Sequence, residues 1–183
     1  MSTRKVKLYI ACSLNGFIAE SDGSVAFLET IPNPDALDYG YAEFYDSIDT
    51  TVQGYSTYQQ VNDWDIPFPY KGKNNYVFTR KQGLPISEDV TFVVEDHESF
   101  LRNLKHQAGG DIWLIGGGKL NQFCLECGLI DAMDIFVMPI LLADGIPIFA
   151  RQGSNVNLDL IGQEHYANGV VRLSYAVAGK KPE

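Results

Sequence analysis

The stretch Ile112-Trp-Leu-Ile-Gly-Gly-Gly-Lys-Leu120 decides the fold, because it runs from an apolar strand through three consecutive glycines into a helix-like sequence. Glycine lacks a Cβ, so a phosphate group can approach the backbone of such a turn closely. The first amides of the following helix have no partner inside that helix and carry a partial positive charge. The stretch therefore predicts a phosphate-binding turn, and the alternative is a tight strand-to-helix turn without a ligand.

Two common nucleotide-binding motifs do not fit these glycines. The dinucleotide fingerprint of Rossmann folds needs a third glycine at the position of Asn121, and it usually lies in the first strand–helix unit of its domain. The Walker motif Gly-x-x-x-x-Gly-Lys-Ser/Thr does not occur in the sequence either. The glycines therefore indicate a dinucleotide site of a different fold.

Length and charge narrow the class of protein. The 183 residues are 45% hydrophobic, which is enough for one good-sized core, so we expect a single domain over residues 1–183. The formal net charge is −9, and no run of Lys or Arg exceeds a pair, which disfavours nucleic acid and anionic membranes as partners. No apolar stretch approaches the roughly 20 residues of a membrane span, and no signal-like segment opens the chain. We expect a cytoplasmic protein with a small-molecule substrate.

Apolar periodicity and turn residues predict the order β-α-β-α-β-β-α-β-α-β, followed by a hairpin. Asn33 and Pro34 are typical of a helix start, and apolar residues at helical spacing extend that first helix to about Ser47. Asn168-Gly169 is a strong hairpin signal between strands at 158–166 and 170–177. The order predicts an α/β fold with a mostly parallel sheet, helices on both faces and an antiparallel C-terminal hairpin. The remaining predicted strands span residues 6–13, 50–53, 75–79, 90–94, 112–115 and 132–138, and further helices span 55–61, a segment after Asp96, and 119–127.

Cys124 and Cys127 have the spacing of a redox or metal motif. The cysteine count is three, there is no second pair of this spacing, and the three histidines are scattered. On a helix the two cysteines, three residues apart, share a face, and we expect them to form a buried stripe with Phe123 and Leu129. This pattern favours core packing, with a redox or metal site as the alternative.

Four segments, in order and over nearly the whole chain, carry a resemblance to a known family: residues 11–19, 48–58, 115–120, and 128–133 with 138–149. They read Ala-Cys-Ser-Leu-Asn-Gly-Phe-Ile-Ala, then a strand followed by Gly-Tyr-Ser-Thr-Tyr, then Ile-Gly-Gly-Gly-Lys-Leu, then Leu-Ile-Asp-Ala and Pro-Ile-Leu-Leu-Ala-Asp-Gly-Ile-Pro-Ile-Phe. The sequence resembles the dihydrofolate reductase superfamily. It is most similar to the branch that contains the C-terminal reductase domain of the bacterial riboflavin-biosynthesis deaminase-reductase.

The resemblance implies a three-layer dihydrofolate reductase-like fold and an oxidoreductase that transfers a hydride from NADPH to a small heterocycle. Such NAD(P)H-dependent chemistry on CH–NH or C=N bonds needs no protein nucleophile or metal, because the cofactor supplies the hydride. Carried over by position, the implied cofactor residues are Ala11 and Ile18 at the nicotinamide, Gly54, Tyr55, Ser56, Thr57, Gly116, Gly117, Gly118, Lys119 and Leu120 at the phosphates, and Thr79 and Arg80 at the adenosine.

Tyr55 departs from the branch pattern, which commonly has an arginine at this position that pairs with the 2′-phosphate of NADPH. Tyrosine carries no charge to replace it. Arg80 or Lys81 is then the expected phosphate partner, or the preference for NADPH is relaxed.

Proton delivery has four candidate catalytic residues. Folate reductases place an acid on the first helix, and the predicted helix offers Asp38, Glu43 and Asp46. A carboxyl in a partly dry pocket has a raised pKa, as proton delivery requires, whereas the alternative for each acid is an exposed helix face. Asn15 stands where the branch often has an aspartate, and it retains hydrogen-bonding capacity.

Three functions remain open at this point. The first is an NADPH-dependent reductase of a pterin- or pyrimidine-like substrate, similar to the riboflavin-biosynthesis reductase. The second is a nucleotide-binding regulatory protein without turnover, and the third is a true dihydrofolate reductase. Apolar residues in the segment 138–149 and in the terminal hairpin lie near one sheet edge, so we also expect a homodimer.

Overall fold

An eight-stranded sheet forms the centre of the molecule in the computed structural model, which describes residues 3–150 and 155–178. Its strands are β1 (Val6–Ser13), β3 (Ile48–Gly54), β4 (Asn74–Phe78), β5 (Thr91–Val93), β6 (Asp111–Gly116), β7 (Ala132–Met138), β9 (Leu158–His165) and β10 (Val171–Val177). Their order across the sheet is β5-β4-β3-β6-β1-β7-β10-β9. The helices are α1 (Tyr41–Ser47), α2 (Tyr55–Asn62), α3 (His97–Lys105) and α4 (Gly118–Glu126).

Parallel pairing joins the first six strands of this order, and β10 is antiparallel to both of its neighbours. In the register, Leu8 of β1 pairs with Leu114 on one side and with Met133 on the other. The hairpin turn between β9 and β10 places Gly169 at φ +88°, which glycine adopts readily. The prediction of a mostly parallel sheet with antiparallel C-terminal strands is confirmed.

Helices cover both faces of the sheet and complete three layers. On one face, the core contains Leu101, Leu104, Cys124 and Leu125 from α3 and α4 together with Leu8, Val52 and Leu114 from the strands. On the other face, Phe44 of α1 and Val61 of α2 pack with Trp113 of β6. Burial of these apolar side chains is the main favourable term in the stability of such a fold. Cys124 lies in this core, which agrees with the packing interpretation of the cysteine pair.

The predicted start of the first helix is wrong, because α1 begins at Tyr41 and not near residue 34. The Asn33 side chain accepts a hydrogen bond from the Leu37 amide and donates one to the Leu37 carbonyl, both at 2.9 Å. Such side-chain bonds to the backbone compete with helix formation. Tyr39 then has φ +56° and Gly40 has φ +81°, so the chain turns before the helix starts.

Three short elements lie near the carboxyl end of the parallel strands, and none of them was predicted as regular structure. Strands β2 (Phe17–Ala19) and β8 (Ile146–Pro147) pair into a second, two-stranded sheet, and a 3-10 helix spans Ala26–Thr30. Each is too short for a periodic pattern to reveal it. Among the described residues, no helix combines the length and the apolar character that a membrane span requires.

Candidate functional site

The carboxyl ends of the neighbouring strands β3 and β6 form the centre of the candidate site. Helix α2 begins directly after Gly54, and helix α4 begins directly after Gly117. A Cβ on Gly54 would lie 3.7 Å from the Gly116 carbonyl oxygen, so the two strand ends are in close contact. Two helix N-termini therefore meet at the carboxyl ends of these two strands, where their unpaired amides favour the binding of an anion.

Two of the three glycines at this point, Gly116 and Gly118, are required for different reasons. Gly116 has φ +105°, and a Cβ there would lie 2.8 Å from Oδ1 of Asn121. A Cβ on Gly118 would lie 2.2 Å from the Pro147 carbonyl oxygen, which is too close for any side chain. Gly117 has an ordinary extended backbone, and its amide donates a hydrogen bond of 3.1 Å to Oγ1 of Thr57. Gly117 is thus the one of these three glycines at which neither a positive φ nor a close backbone contact excludes a side chain.

A groove of about 460 Å³ lies over the two helix N-termini, and we call it the glycine groove. Its lining includes the predicted cofactor residues Gly54, Ser56, Thr57, Gly117, Gly118, Lys119 and Leu120. It also includes Ser21, Asp22, Gly23, Gln60 and Ile146, which were not predicted. The Gln60 side-chain amide donates a hydrogen bond of 2.6 Å to the Gly23 carbonyl, which holds the loop after β2 against α2. In the sequence, this side of the groove is indicated only by the polar residues 20–24, which are typical of a loop.

A second cavity of about 650 Å³ shares Asp22, Gly23, Ser56 and Gln60 with the glycine groove, so the two are adjacent. We call it the acidic cleft. Its other lining residues come from the segment 24–29 and from the end of α2, and they are Ser24, Val25, Ala26, Glu29, Gln59, Asp63 and Trp64. None of the side chains that line it in the described residues is basic. Three carboxylates therefore line the cleft, Asp22, Glu29 and Asp63, and Asp22 lines the glycine groove as well.

The candidate acids Asp38, Glu43 and Asp46 are all exposed, and none of them lines either cavity. The Asp38 carboxylate accepts hydrogen bonds from the amides of Gly40 and Ala42, and these bonds lower its pKa. The expectation of a partly dry carboxyl with a raised pKa is therefore wrong for Asp38, which precedes α1 because the helix starts late.

The side-chain amide of Asn15 forms hydrogen bonds with other residues of the protein. Its Oδ1 accepts hydrogen bonds from the Ser13 hydroxyl at 2.8 Å and from the Leu142 amide at 3.2 Å. Its Nδ2 donates to the Leu142 carbonyl at 2.8 Å. Asn15 thus ties the turn after β1 to the segment 139–150, and its catalytic role stays a prediction.

The segment 139–150 is anchored to the site at further points. The Ile148 amide donates to the Gly16 carbonyl at 2.9 Å, and the Ala150 amide donates to the Gly118 carbonyl at 3.1 Å. The side chain of Asn121 donates to the Ile148 carbonyl at 2.8 Å. The segment therefore connects the turn after β1 with the first turn of α4.

The residues predicted for the adenosine and nicotinamide ends lie outside the lining of the glycine groove. Thr79 is buried, and its Oγ1 accepts a hydrogen bond of 3.0 Å from the Lys81 amide. The Lys81 ammonium lies 4.2 Å from the centre of the Tyr55 ring, whereas Arg80 is exposed. A cation therefore stands beside the residue that replaces the branch's arginine. Ala11 and Ile18 are half-buried on β1 and β2, and their contact with a nicotinamide stays a prediction.

The cysteines are poor nucleophiles in this environment. Burial raises the pKa of the Cys12 thiol to about 11 and that of Cys124 to about 12. Both side chains are therefore protonated thiols at neutral pH, and the thiolate is the reactive form. The cysteine pair 124/127 gives no support to a nucleophilic mechanism.

Residues 47–172 match the RibD C-terminal domain family. Two proteins of Bacillus subtilis (strain 168), both described as uncharacterised, are related over almost their full length. YwjB is 38% identical over 175 residues, covering 96% of this chain and 99% of YwjB. YyaP is 28% identical over 186 residues, covering 96% of each chain.

Solved structures have the same fold. A protein from Shewanella sp. PV-4 that is provisionally assigned to riboflavin biosynthesis superposes with a TM-score of 0.85 at 26% identity, over 94% of this chain and 98% of that one. A diaminohydroxyphosphoribosylaminopyrimidine deaminase/5-amino-6-(5-phosphoribosylamino)uracil reductase from Thermotoga maritima superposes with a TM-score of 0.74 at 18% identity. This chain covers 57% of the Thermotoga protein, and at that identity the likeness concerns the fold alone.

Proposed function

Because the chain belongs to the RibD C-terminal domain family, we propose that it is an oxidoreductase that transfers a hydride from NADPH to a small pterin- or pyrimidine-like heterocycle. The observation that carries the proposal is the meeting of two helix N-termini at the three glycines. Anions bind at such termini because the amides point at them and the helix dipole favours negative charge. Two termini on one groove suit the two charges of a pyrophosphate.

The residues around the groove fit the rest of the cofactor. Lys119 lines the groove and adds a positive charge to the amides of α4. Lys81 lies over the Tyr55 ring and is our candidate for the partner of the 2′-phosphate. When NADPH is bound, it supplies the hydride.

The protein's own residues position the reactants. Thr57 accepts the hydrogen bond of the Gly117 amide and so fixes α2 relative to the glycine turn. Asn15 and Gln60 hold the two loops that border the groove and the cleft. Fixed positioning of this kind can supply a large part of a rate enhancement without a protein nucleophile. The acidic cleft, which is adjacent to the groove, is the proposed substrate site.

A nucleotide-binding protein without turnover is the second candidate, and two observations favour it. Tyr55 replaces the usual arginine, and none of the three predicted acids lines a described cavity. Calorimetric titration with NADPH followed by NADPH oxidation assays against pterins, pyrimidines, quinones and dihydrofolate separates the candidates. Oxidation with a pterin or pyrimidine supports the reductase, and oxidation with dihydrofolate alone indicates a dihydrofolate reductase. Binding without oxidation supports the regulatory protein, whereas absence of binding refutes all three.

We also propose a homodimer that forms through the outer edge of β9. Leu160 and Ile161 on this strand are 54% and 59% exposed. The register between β9 and β10 shifts here, because Ser174 pairs with Gly162 and Tyr175 pairs with Leu160. An open strand edge with exposed apolar side chains favours pairing with another chain.

A further inference from the structure

We infer that His97 is a positioning residue, which fixes the loop that carries Lys81 and so sets the preference of the site for a nucleotide with a 2′-phosphate. This inference rests on the proposed function, because Lys81 is the proposed partner of that phosphate. His97 is the first residue of α3, is half-buried, and is not among the described residues that line the glycine groove. It therefore acts through other residues.

The Nε2 atom of His97 lies between two backbone carbonyl oxygens. It is 2.8 Å from the oxygen of Val93 and 3.2 Å from the oxygen of Thr79. Because a carbonyl oxygen only accepts, Nε2 carries a hydrogen and donates to both. The Thr79 amide in turn donates to the same Val93 carbonyl at 3.0 Å. Thr79, the first residue after β4, is thus held at both its N–H and its C=O group.

Aromatic neighbours fix the orientation of the His97 ring. It stacks on the Phe78 ring, with 4.7 Å between the ring centres and 14° between the planes. The Phe123 ring of α4 lies 6.4 Å away at 83°, an edge-to-face arrangement. Both arrangements are favourable for aromatic rings. The donor of His97 is therefore directed at the two carbonyls by the packing around the ring.

The Thr79 side chain connects this anchor to Lys81. Its Oγ1 accepts a hydrogen bond of 3.0 Å from the Lys81 amide, and the Lys81 ammonium lies 4.2 Å from the centre of the Tyr55 ring at the start of α2. Lys81 is exposed, and a lysine loses conformational entropy when its ammonium is held at one place. A fixed backbone at Lys81 reduces that loss. Removing the His97 donor should therefore weaken binding to a 2′-phosphate specifically.

The test is calorimetric titration of His97→Phe and His97→Gln with NADPH and with NADH. Phenylalanine keeps a ring that stacks on Phe78 but has no donor, whereas the glutamine amide nitrogen can donate in place of Nε2. His97→Phe should weaken NADPH by about two- to fivefold relative to NADH, the range of a partly exposed charge pair. His97→Gln should retain the wild-type preference. The ratio of the two affinities is the measured quantity, because a purely structural loss would weaken both nucleotides equally.

Three further variants restrict the interpretation. His106→Phe is the matched control, since His106 is exposed at the opposite end of α3, and it should leave both affinities unchanged. Thr79→Val removes the acceptor of the Lys81 amide without altering His97, and it should lower the same ratio. In a Lys81→Ala background, His97→Phe should cause no further change in the ratio, because both act through one ammonium group. Thermal melts verify that each variant is folded.

Hydrogen exchange of the Lys81 amide in the unliganded protein, followed by NMR, separates this inference from the proposed function. Exchange should be faster in His97→Phe than in wild type, because the bond to the Thr79 hydroxyl opens more often. If NADPH binds but His97→Phe leaves the exchange rate or the nucleotide preference unchanged, the inference is wrong and the reductase proposal stands. If exchange is faster and the wild type binds neither nucleotide, the reductase proposal is wrong, and His97 positions the loop without setting a cofactor preference.

Discussion

Replacing Gly117 by valine should weaken NADPH binding at least tenfold and leave the protein folded. The Gly117 backbone has φ −60° and ψ −179°, which L-amino acids adopt without strain. A Cβ at this position would lie 3.3 Å from Oγ1 of Thr57, so a shift of a few tenths of an ångström accommodates it. The two γ-methyl groups of valine would then occupy space over the amides of α4, where we place the pyrophosphate.

The magnitude follows from the bonds that such a side chain prevents. A hydrogen bond to a charged group contributes about 1.5–3 kcal/mol, and valine would displace at least one phosphate oxygen from an amide. Since about 1.4 kcal/mol corresponds to a tenfold change, the dissociation constant should rise by about ten- to a hundredfold. The effect should be similar for NADPH and NADH, because both contain the pyrophosphate.

Calorimetric titration with NADPH measures the effect, and circular dichroism with a thermal melt verifies the fold. Gly162→Val is the control, since a Cβ there lies 3.5 Å from Cβ of Ser174 on the distant hairpin, an ordinary contact. Gly118→Ala should behave in the opposite way and destabilise the fold, because its Cβ would meet the Pro147 carbonyl oxygen at 2.2 Å. Unchanged NADPH affinity in folded Gly117→Val would refute the assignment and reduce the glycines to a turn.

Three further predictions concern the cofactor, the pH dependence and the assembly. Lys81→Ala should weaken the binding of NADPH by about three- to tenfold and that of NADH only slightly, and Tyr55→Arg should shift the preference towards NADPH. Calorimetric titrations with both nucleotides measure these affinities. Equal losses of affinity for both nucleotides in Lys81→Ala would contradict the 2′-phosphate assignment. Hydrogen bonds lower the folded-state pKa of Asp38, so its stabilising effect is present above the ordinary value of 3.8 and is lost as the pH falls through the lowered value. Asp38→Ala should therefore lower the melting temperature at pH 7, and a difference from wild type that persists undiminished in strong acid would be inconsistent with this origin. Light scattering should give about twice the chain mass of 20.3 kDa, and Leu160→Lys/Ile161→Lys should yield monomers; a wild-type mass of one chain would exclude the dimer.

The fold and the glycine turn could be predicted because their signals are local. The apolar run 112–115 and the three glycines lie within one short stretch, and the strand at Val6–Ser13 has the predicted bounds. The start of α1 could not be predicted from periodicity, because Asn33 and Asp38 bond to the backbone and the helix starts only at Tyr41. Periodicity reports a buried face and does not register such bonds.

The acidic cleft could not be predicted for a different reason. Asp22 lies in a loop, Glu29 in the 3-10 helix, and Asp63 directly after α2. In the sequence, each of these carboxylates alone is typical of an exposed charged residue. Tertiary contacts bring them together, including the Gln60 bond to Gly23 across the two segments. Side chains that meet only through such contacts leave no spacing pattern in the sequence.

The anchoring of the segment 139–150 affects how this protein can be altered or can diverge. Surface connections generally tolerate insertions and deletions, and most of this segment is irregular. Here, however, Leu142, Ile148 and Ala150 each have a fixed partner, on Asn15, Gly16 or Gly118. A change of even one residue in its length would move these partners out of register. Loop grafts and tag insertions should therefore be directed elsewhere, such as the exposed connection around Ile86, whose side chain is fully exposed.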